Sequence, residues 1–293
     1  MHDERATTRI RLDLAYDGTA FAGWARQPGQ RTVQGVLEDA LATIFRRHAP
    51  APQLTVAGRT DAGVHALGQV AHLDLDDEQL ASLDLPHRPE AKRGPGGAEA
   101  LRRRINGILG SDADARITAA TVAPEGFDAR FSAVWRRYEY RVADGATLLN
   151  PLLRGHTLAV ADTLDAAVMD QAARALPGLH DWAGFCKPRD GATTIRTLLD
   201  FSWSRGDDGV LRAEVLADAF CHSMVRALVG ASLAVGRGRL GPADLVRIRD
   251  AAARGNEFPV AAAKGLTLLE VGYPEDGALA LRAAQTRGVR QLP

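Results

Sequence analysis

Four hydrogen-bonding side chains crowd into one short stretch, Gly58-Arg59-Thr60-Asp61-Ala62-Gly63-Val64-His65. Glycines at both ends permit unusual backbone angles and the close approach of another chain segment. An aspartate in such a turn commonly serves the turn itself, accepting from its own backbone. Equally, a loop held by a rigid sheet is where reacting groups are placed, and a carboxylate there can act as a nucleophile. His65 and His72 could be set beside Asp61 as metal ligands, but no helical or Cys-assisted spacing supports the set, so no metal is expected.

A second place for chemistry is Arg226, four residues after His222 in a stretch that reads as a helix. Cys221, Met224, Val225, Leu228, Val229, Ser232 and Leu233 trace its apolar stripe, which stops near Gly236. Arg226 projects from the border of that stripe and needs an anionic partner, because an unpaired buried charge is very costly. The local sequence supplies none, so the partner is either a structural acid or a catalytic one. Tyr138 and the segment Tyr16-Asp17-Gly18-Thr19-Ala20-Phe21-Ala22-Gly23-Trp24 read, taken alone, as core aromatics and a turn.

The elements that must position these residues can be read from periodicity. Ile10, Leu12 and Leu14 alternate with Arg11 and Asp13 in the two-residue period of a half-buried strand. Thr32 can cap a helix in which Val33, Val36, Leu37, Ala40, Leu41, Ile44 and Phe45 fall at helical spacing. Leu54 and Val56 suggest a short strand, and Ala71, Leu73 and Leu75 a longer one, which places Asp61 in a loop between two strands. The stretch 84–98, with its Pro and Gly residues, reads as a surface insertion. A helix through Leu101, Ile105, Ile108 and Leu109 and a strand through Ile117, Ala119 and Thr121 close a first domain, 1–120.

The second domain, 121–293, repeats the alternation. Tyr138, Tyr140 and Val142 share one face of a strand whose other face carries Arg137, Glu139 and Arg141, a ribbon suited to RNA. A helix through Leu164, Val168, Ala172 and Leu176 follows, then strands at Ile195 to Trp203 and Leu211 to Ala217. A last helix around Leu245 to Ala252 precedes a strand at Leu266 to Val271. The spacing is not that of a doubly wound sheet, and the expected class is α+β with two similar halves, each a mixed or antiparallel sheet with helices.

Composition sets outer bounds. A chain of 293 residues, 46% apolar and 25% charged, suits two modest globular domains. Only two cysteines, Cys186 and Cys221, are present, so neither a disulfide framework nor a cysteine-rich zinc site is expected, and a reducing, cytoplasmic setting fits. No apolar run approaches the roughly 20 residues of a membrane span, and the start shows no signal-peptide core. A net charge of zero argues against a nucleic-acid partner, but distribution matters more. Only Lys92, Lys187 and Lys264 are lysines, while arginines gather at Arg46-Arg47, Arg102-Arg103-Arg104 and Arg136-Arg137, with Arg130 and Arg141 nearby. Arginine grips phosphate bidentately.

Together these segments resemble the tRNA pseudouridine synthase A family along nearly the whole chain. The landmarks run in order: Tyr16-Asp17-Gly18 with Gly23-Trp24, Thr32-Val33-Gln34-Gly35, Gly58 to Ala66, Gly68-Gln69-Val70, Asn106, Phe127 to Ala133, Arg136-Arg137-Tyr138, Phe220 to Arg226 and Gly265-Leu266. The resemblance implies a pseudouridine synthase fold with the active-site cleft between the halves. It implies a catalytic set of Asp61, Tyr138 and Arg226, and no cofactor. Asp61 attacks the ribose or the uracil, Arg226 keeps it ionised, and Tyr138 stacks on the flipped base. Arg59 wedges beside the vacated space, while Leu266, Arg130, Arg136 and Arg137 meet the substrate, with Arg102 to Arg104 as further RNA contacts. The implied substrate is the tRNA anticodon stem-loop at uridines 38, 39 and 40, and the implied assembly a homodimer.

Ala25, Ser223 and Ala262-Ala263-Lys264 depart from the family pattern, and the 84–98 insertion is longer than usual, which bears on substrate range. Two rivals stand beside this reading. One is a non-catalytic tRNA-binding or folding protein on the same fold, which the intact catalytic set opposes. The other is a glycoside or nucleoside hydrolase, which usually wants a second carboxylate beside the first.

Overall fold

The computed structural model describes residues 7–84, 96–187 and 193–288. The Pro- and Gly-rich stretch expected at 84–98 therefore lies mostly outside the described residues. The chain forms two compact units, the first extending to Ala133 and taking in Tyr273–Thr286, the second comprising Val134–Gly272.

In the first unit, β1 (Thr7–Tyr16) buries Ile10, Leu12, Leu14 and Tyr16 on one face, as the alternation predicts. Each such side chain is worth about 1.5–3 kcal/mol of burial. Helix α1 (Val33–Ile44) starts at Thr32, whose Oγ1 accepts the Gly35 N–H at 3.1 Å, and buries Val33, Leu37, Ala40 and Leu41. Strand β2 (Thr55–Val56) leads into the Asp61 loop, and β3 (His65–Asp76) leaves it. Two short helices follow, α2 (Asp77–Leu83) and α3 (Gly97–Leu109), then β4 (Ala115–Val122). The sheet is antiparallel in the order β4-β1-β3-β2, with Leu12 opposite Ala71 and Ile10 opposite Leu73.

In the second unit, β5 (Trp135–Ala143) is the strand of the three expected face residues, and Tyr138, Tyr140 and Val142 are all buried. Beyond it come β6 (Leu158–Ala159), α4 (Ala166–Arg174), β7 (Gly178–Asp181), β8 (Ile195–Arg205) and β9 (Leu211–Ala217). Helices α5 (Met224–Gly236) and α6 (Pro242–Ala251) and strand β10 (Leu266–Gly272) complete it. The strand order is β10-β5-β9-β8-β7, antiparallel throughout, with β6 parallel on β5. The chain then returns to the first unit as α7 (Leu279–Thr286). The class is α+β, as expected. No helix among the described residues is long and apolar enough to cross a membrane.

Two expectations are corrected. Cys186 and Cys221 are bonded sulfur to sulfur, with Cα atoms 5.9 Å apart. Thirty-five residues separate them in sequence, and only the approach of the turn after β7 to the segment before α5 brings them together. His222 does not share a helix with Arg226: α5 begins at Met224, and Ser223 before it adopts a left-handed φ of 61°.

Candidate active site

The Asp61 loop is pinned from three sides within the first unit. The Tyr16 hydroxyl lies 2.8 Å from Thr60 Oγ1, and the Gln69 amide donates both to that hydroxyl (3.2 Å) and to the Gly58 carbonyl (2.9 Å). Burial pushes the Tyr16 hydroxyl up to about 12, against the opposing pull of its hydrogen bonds to Thr60 and Gln69. The Trp24 N–H donates to the Thr60 carbonyl at 3.0 Å and the Gly63 N–H to the Phe21 carbonyl at 3.2 Å. Val64 N–H closes the turn onto the Asp61 carbonyl at 3.2 Å.

Glycine is required where the loop meets its neighbours. A Cβ on Gly18 would collide with the Val64 carbonyl, and Gly63 takes a φ of 78°, open to few other residues. His65 accepts the Gly18 N–H at its Nδ1 (3.1 Å), and His72 accepts the Ala129 N–H at its Nδ1 (3.0 Å). The same His65 atom lies 3.1 Å from Asp17 Oδ1, and against the opposing pull of burial the Thr19 hydroxyl and N–H together with His65 hold Asp17 below the usual aspartate range. Each histidine thus accepts a backbone N–H. Asp61 itself is half-buried, and Arg59 is exposed on the same loop.

Tyr138, Arg226 and Leu266 all fall in the second unit. Tyr138 is 8% exposed, and its ring meets Phe220 edge to face at 5.2 Å. Every residue of α5 is buried except Arg226, which is the one charged residue of that helix. Its Nε donates to the Ala261 carbonyl at 2.8 Å, while the Ala261 N–H donates back to the Arg226 carbonyl at 3.0 Å. That reciprocal pair fixes the guanidinium along the segment approaching β10. Gly230 makes the approach possible, since a Cβ there would collide with the Pro259 carbonyl. Tyr140 donates its hydroxyl to Ala262 O at 2.7 Å; burial raises its pKa, opposed by the Arg226 charge. Leu266 lies opposite Tyr140 and Leu268 opposite Tyr138 across β10 and β5.

The arginines expected to meet RNA separate into distinct environments. Arg136 is on the buried face, 8% exposed, and donates to the Asp218 carbonyl at 2.6 Å. Arg137 stands over the Trp135 ring at 5.5 Å and lies 3.8 Å from Glu270. Arg141 is flanked by Glu139 (3.6 Å) and Asp208 (3.4 Å). Arg130, in the first unit, is exposed over Phe131 at 5.1 Å. Arg102 and Arg103 share Glu99, and Arg104 donates to the carbonyls of Ser82 and Leu83. The roles of Gln69, Phe220 and Ala261 were not legible from sequence: the first two lay within landmark segments, and a backbone carbonyl leaves no mark in a sequence.

Residues 14–92 and 172–274 match the family model for tRNA pseudouridine synthases. The chain therefore belongs to the tRNA pseudouridine synthase A family, whose members are isomerases. Among its relatives named tRNA pseudouridine synthase A, one from Leifsonia xyli subsp. xyli is 62% identical over 286 residues, covering 97% of this chain and 98% of that protein. One from Frankia casuarinae is 54% identical over 285 residues, with 97% and 96% covered. One from Mycobacterium leprae is 45% identical over 284 residues, with 96% and 95% covered.

Proposed function

We propose that this protein isomerises uridine to pseudouridine at positions 38, 39 and 40 of the tRNA anticodon stem-loop, with Asp61 as the nucleophile. The supporting observation is the pinned loop: Tyr16, Gln69 and the backbone of Trp24 hold the residues around Asp61, so that the carboxylate is presented on a fixed turn. Catalysis by position is what such pinning supplies.

In this reading the Asp61 carboxylate attacks carbon 1′ of the ribose or the uracil ring, and the glycosidic bond to nitrogen breaks. The base turns and re-forms its bond through carbon 5, the proton on carbon 5 leaves, the freed ring nitrogen takes up a proton, and the carboxylate departs unchanged. Atoms balance without a cofactor. Arg226 supplies the positive charge that favours an ionised carboxylate in a water-excluded site. Tyr138 offers a platform for the flipped uracil and assists the carbon 5 proton, with Phe220 bracing its ring. Arg59 occupies the space beside the flipped nucleotide, and Leu266, Arg130 and Arg137 contact the substrate. Arg136, being buried, acts by holding the Asp218 segment beside β5. The protein works as a cytoplasmic homodimer.

The test is nucleotide-resolution mapping of pseudouridine in a tRNA transcript carrying uridine at 38, 39 and 40, incubated with the purified protein. Conversion at these positions supports the reading; conversion confined to another arm of the tRNA contradicts it.

A further inference from the structure

At the far end of α1 from the Asp61 loop, the first unit holds an open pocket of about 390 Å³ lined by Thr43, Ile44, Arg46, Arg47, His48, Ser82 and Arg104. No carboxylate is among its lining residues. Glu78 on α2, 78% exposed, lies 3.9 Å from His48 Nδ1. Among the described residues, neither Arg46 nor Arg47 pairs with a carboxylate or donates from its side chain to a protein acceptor, whereas Arg9, Arg26, Arg102, Arg174 and Arg247 all do.

The walls are built rather than adventitious. Gln79, 4% exposed, donates to both the His48 and Pro50 carbonyls and thereby fixes the turn after α1. Its carbonyl oxygen also completes the capping box with Asp76 that starts α2. Arg104 reaches from α3 to the Ser82 and Leu83 carbonyls at the end of α2, which sets the angle of its guanidinium at the rim. The carbonyl end of α1 accounts for one nearby cation, at about 0.3–1 kcal/mol. Arg104 is accounted for likewise by the carbonyl end of α2, so the second of the exposed pair Arg46 and Arg47 is left over, with no carboxylate in the lining among the described residues. Uncompensated like charges in a cleft concentrate an anion there.

We propose that this pocket docks a phosphate of the substrate RNA backbone, away from the nucleotide being modified. The inference rests on tRNA being the substrate. Helix α1 begins beside the Asp61 loop, where Gln34 N–H meets the Trp24 carbonyl and Trp24 N–H meets the Thr60 carbonyl. Its 12 residues carry the chain about 18 Å before the pocket. That length of helix keeps the contact away from the nucleotide at the Asp61 loop. The forked guanidiniums suit phosphate, while the Thr43 and Ser82 hydroxyls donate to the Asp39 and Gln79 carbonyls of their own helices. Such a contact carries no sequence information and fixes register instead.

The experiment compares wild type, Arg46→Ala/Arg47→Ala and Arg46→Lys/Arg47→Lys in tRNA binding over a salt series and in steady-state turnover. The alanine pair is expected to weaken tRNA binding roughly tenfold and to flatten the salt slope by about 1–2, with kcat at saturating tRNA unchanged. The lysine pair should recover part of the affinity. Bound tRNA should also shield Arg46 and Arg47 from phenylglyoxal, read by mass spectrometry, with inorganic phosphate as the parallel arm. Unchanged affinity and slope in the alanine pair, or shielding by inorganic phosphate but not by tRNA, would overturn the proposal. Pseudouridine formation by the variants reports separately on the function, so that reading can survive the loss of this one.

Discussion

The hydroxyls of Tyr16 and Thr60 lie 2.8 Å apart, joining the last residue of β1 to the residue immediately before Asp61. A strand that buries four side chains in succession is thereby coupled to the loop that carries the carboxylate. Gln69 on β3 completes the bracket from the other side. The sheet thus holds the loop in addition to its own turn hydrogen bond from Val64 N–H to the Asp61 carbonyl.

Removing the Tyr16 hydroxyl should therefore loosen the loop while leaving its ring in the core. Tyr16→Phe is expected to cost about 1–3 kcal/mol in stability, because Thr60 and Gln69 lose a buried partner. It should also lower kcat roughly tenfold with little change in KM, since small misplacements of a reacting group are costly. Denaturant melts and steady-state kinetics measure the two effects. A stable variant with wild-type kcat would show that the bracket does not position Asp61.

Arg226 admits a decisive comparison of two roles. If it served only to hold the Ala261 carbonyl, Arg226→Met would cost about 1 kcal/mol of stability and leave turnover intact. The proposed function requires the positive charge, so Arg226→Met should lose most activity and Arg226→Lys retain a measurable part. Turnover in both variants, normalised to folded protein, distinguishes the roles. Full activity in Arg226→Met refutes the charge role.

Asp144 and Arg205 give a pH dependence that can be worked out in sign. Hydrogen bonding from Arg205 outweighs the burial of Asp144 and holds its carboxyl well below the usual aspartate range, helped by the Leu164 N–H and Thr147. A depressed folded pKa stabilises the protein above the ordinary aspartate value of about 3.9, and that contribution is lost as pH falls towards the folded value. Asp144→Asn should cost roughly 3 kcal/mol at neutral pH, with the gap to wild type closing only below about pH 4. Thermal melts from pH 7 to pH 3 follow it; a gap that stays constant to the acid end would rule out the ion pair as its origin.

Sequence carried the architecture well where one face was buried and elements were long. β1, α1, β5, β8, β9 and α5 all showed their period. α2 and α7 did not, because seven or eight residues hold too few turns for a stripe to declare itself, and the capping-box spacing of Asp76 and Gln79 at the start of α2 went unread. The Cys186–Cys221 bond was hidden because loop proximity is a product of tertiary structure. The arginine ribbon was half legible: spacing put Arg137, Glu139 and Arg141 on one face of β5, but not the carboxylates of Glu270 and Asp208 beside them. Asp61 alone looks like a turn residue, and only its agreement with many spaced companions raised it above that.

The most direct test of the central claim is a single-turnover assay of Asp61→Asn on tRNA, with binding measured in parallel. The exchange removes the nucleophile and almost no volume, so tRNA affinity should stay within about twofold of wild type while pseudouridine formation falls below detection. Residual turnover near the wild-type rate would contradict the assignment of Asp61 as the nucleophile.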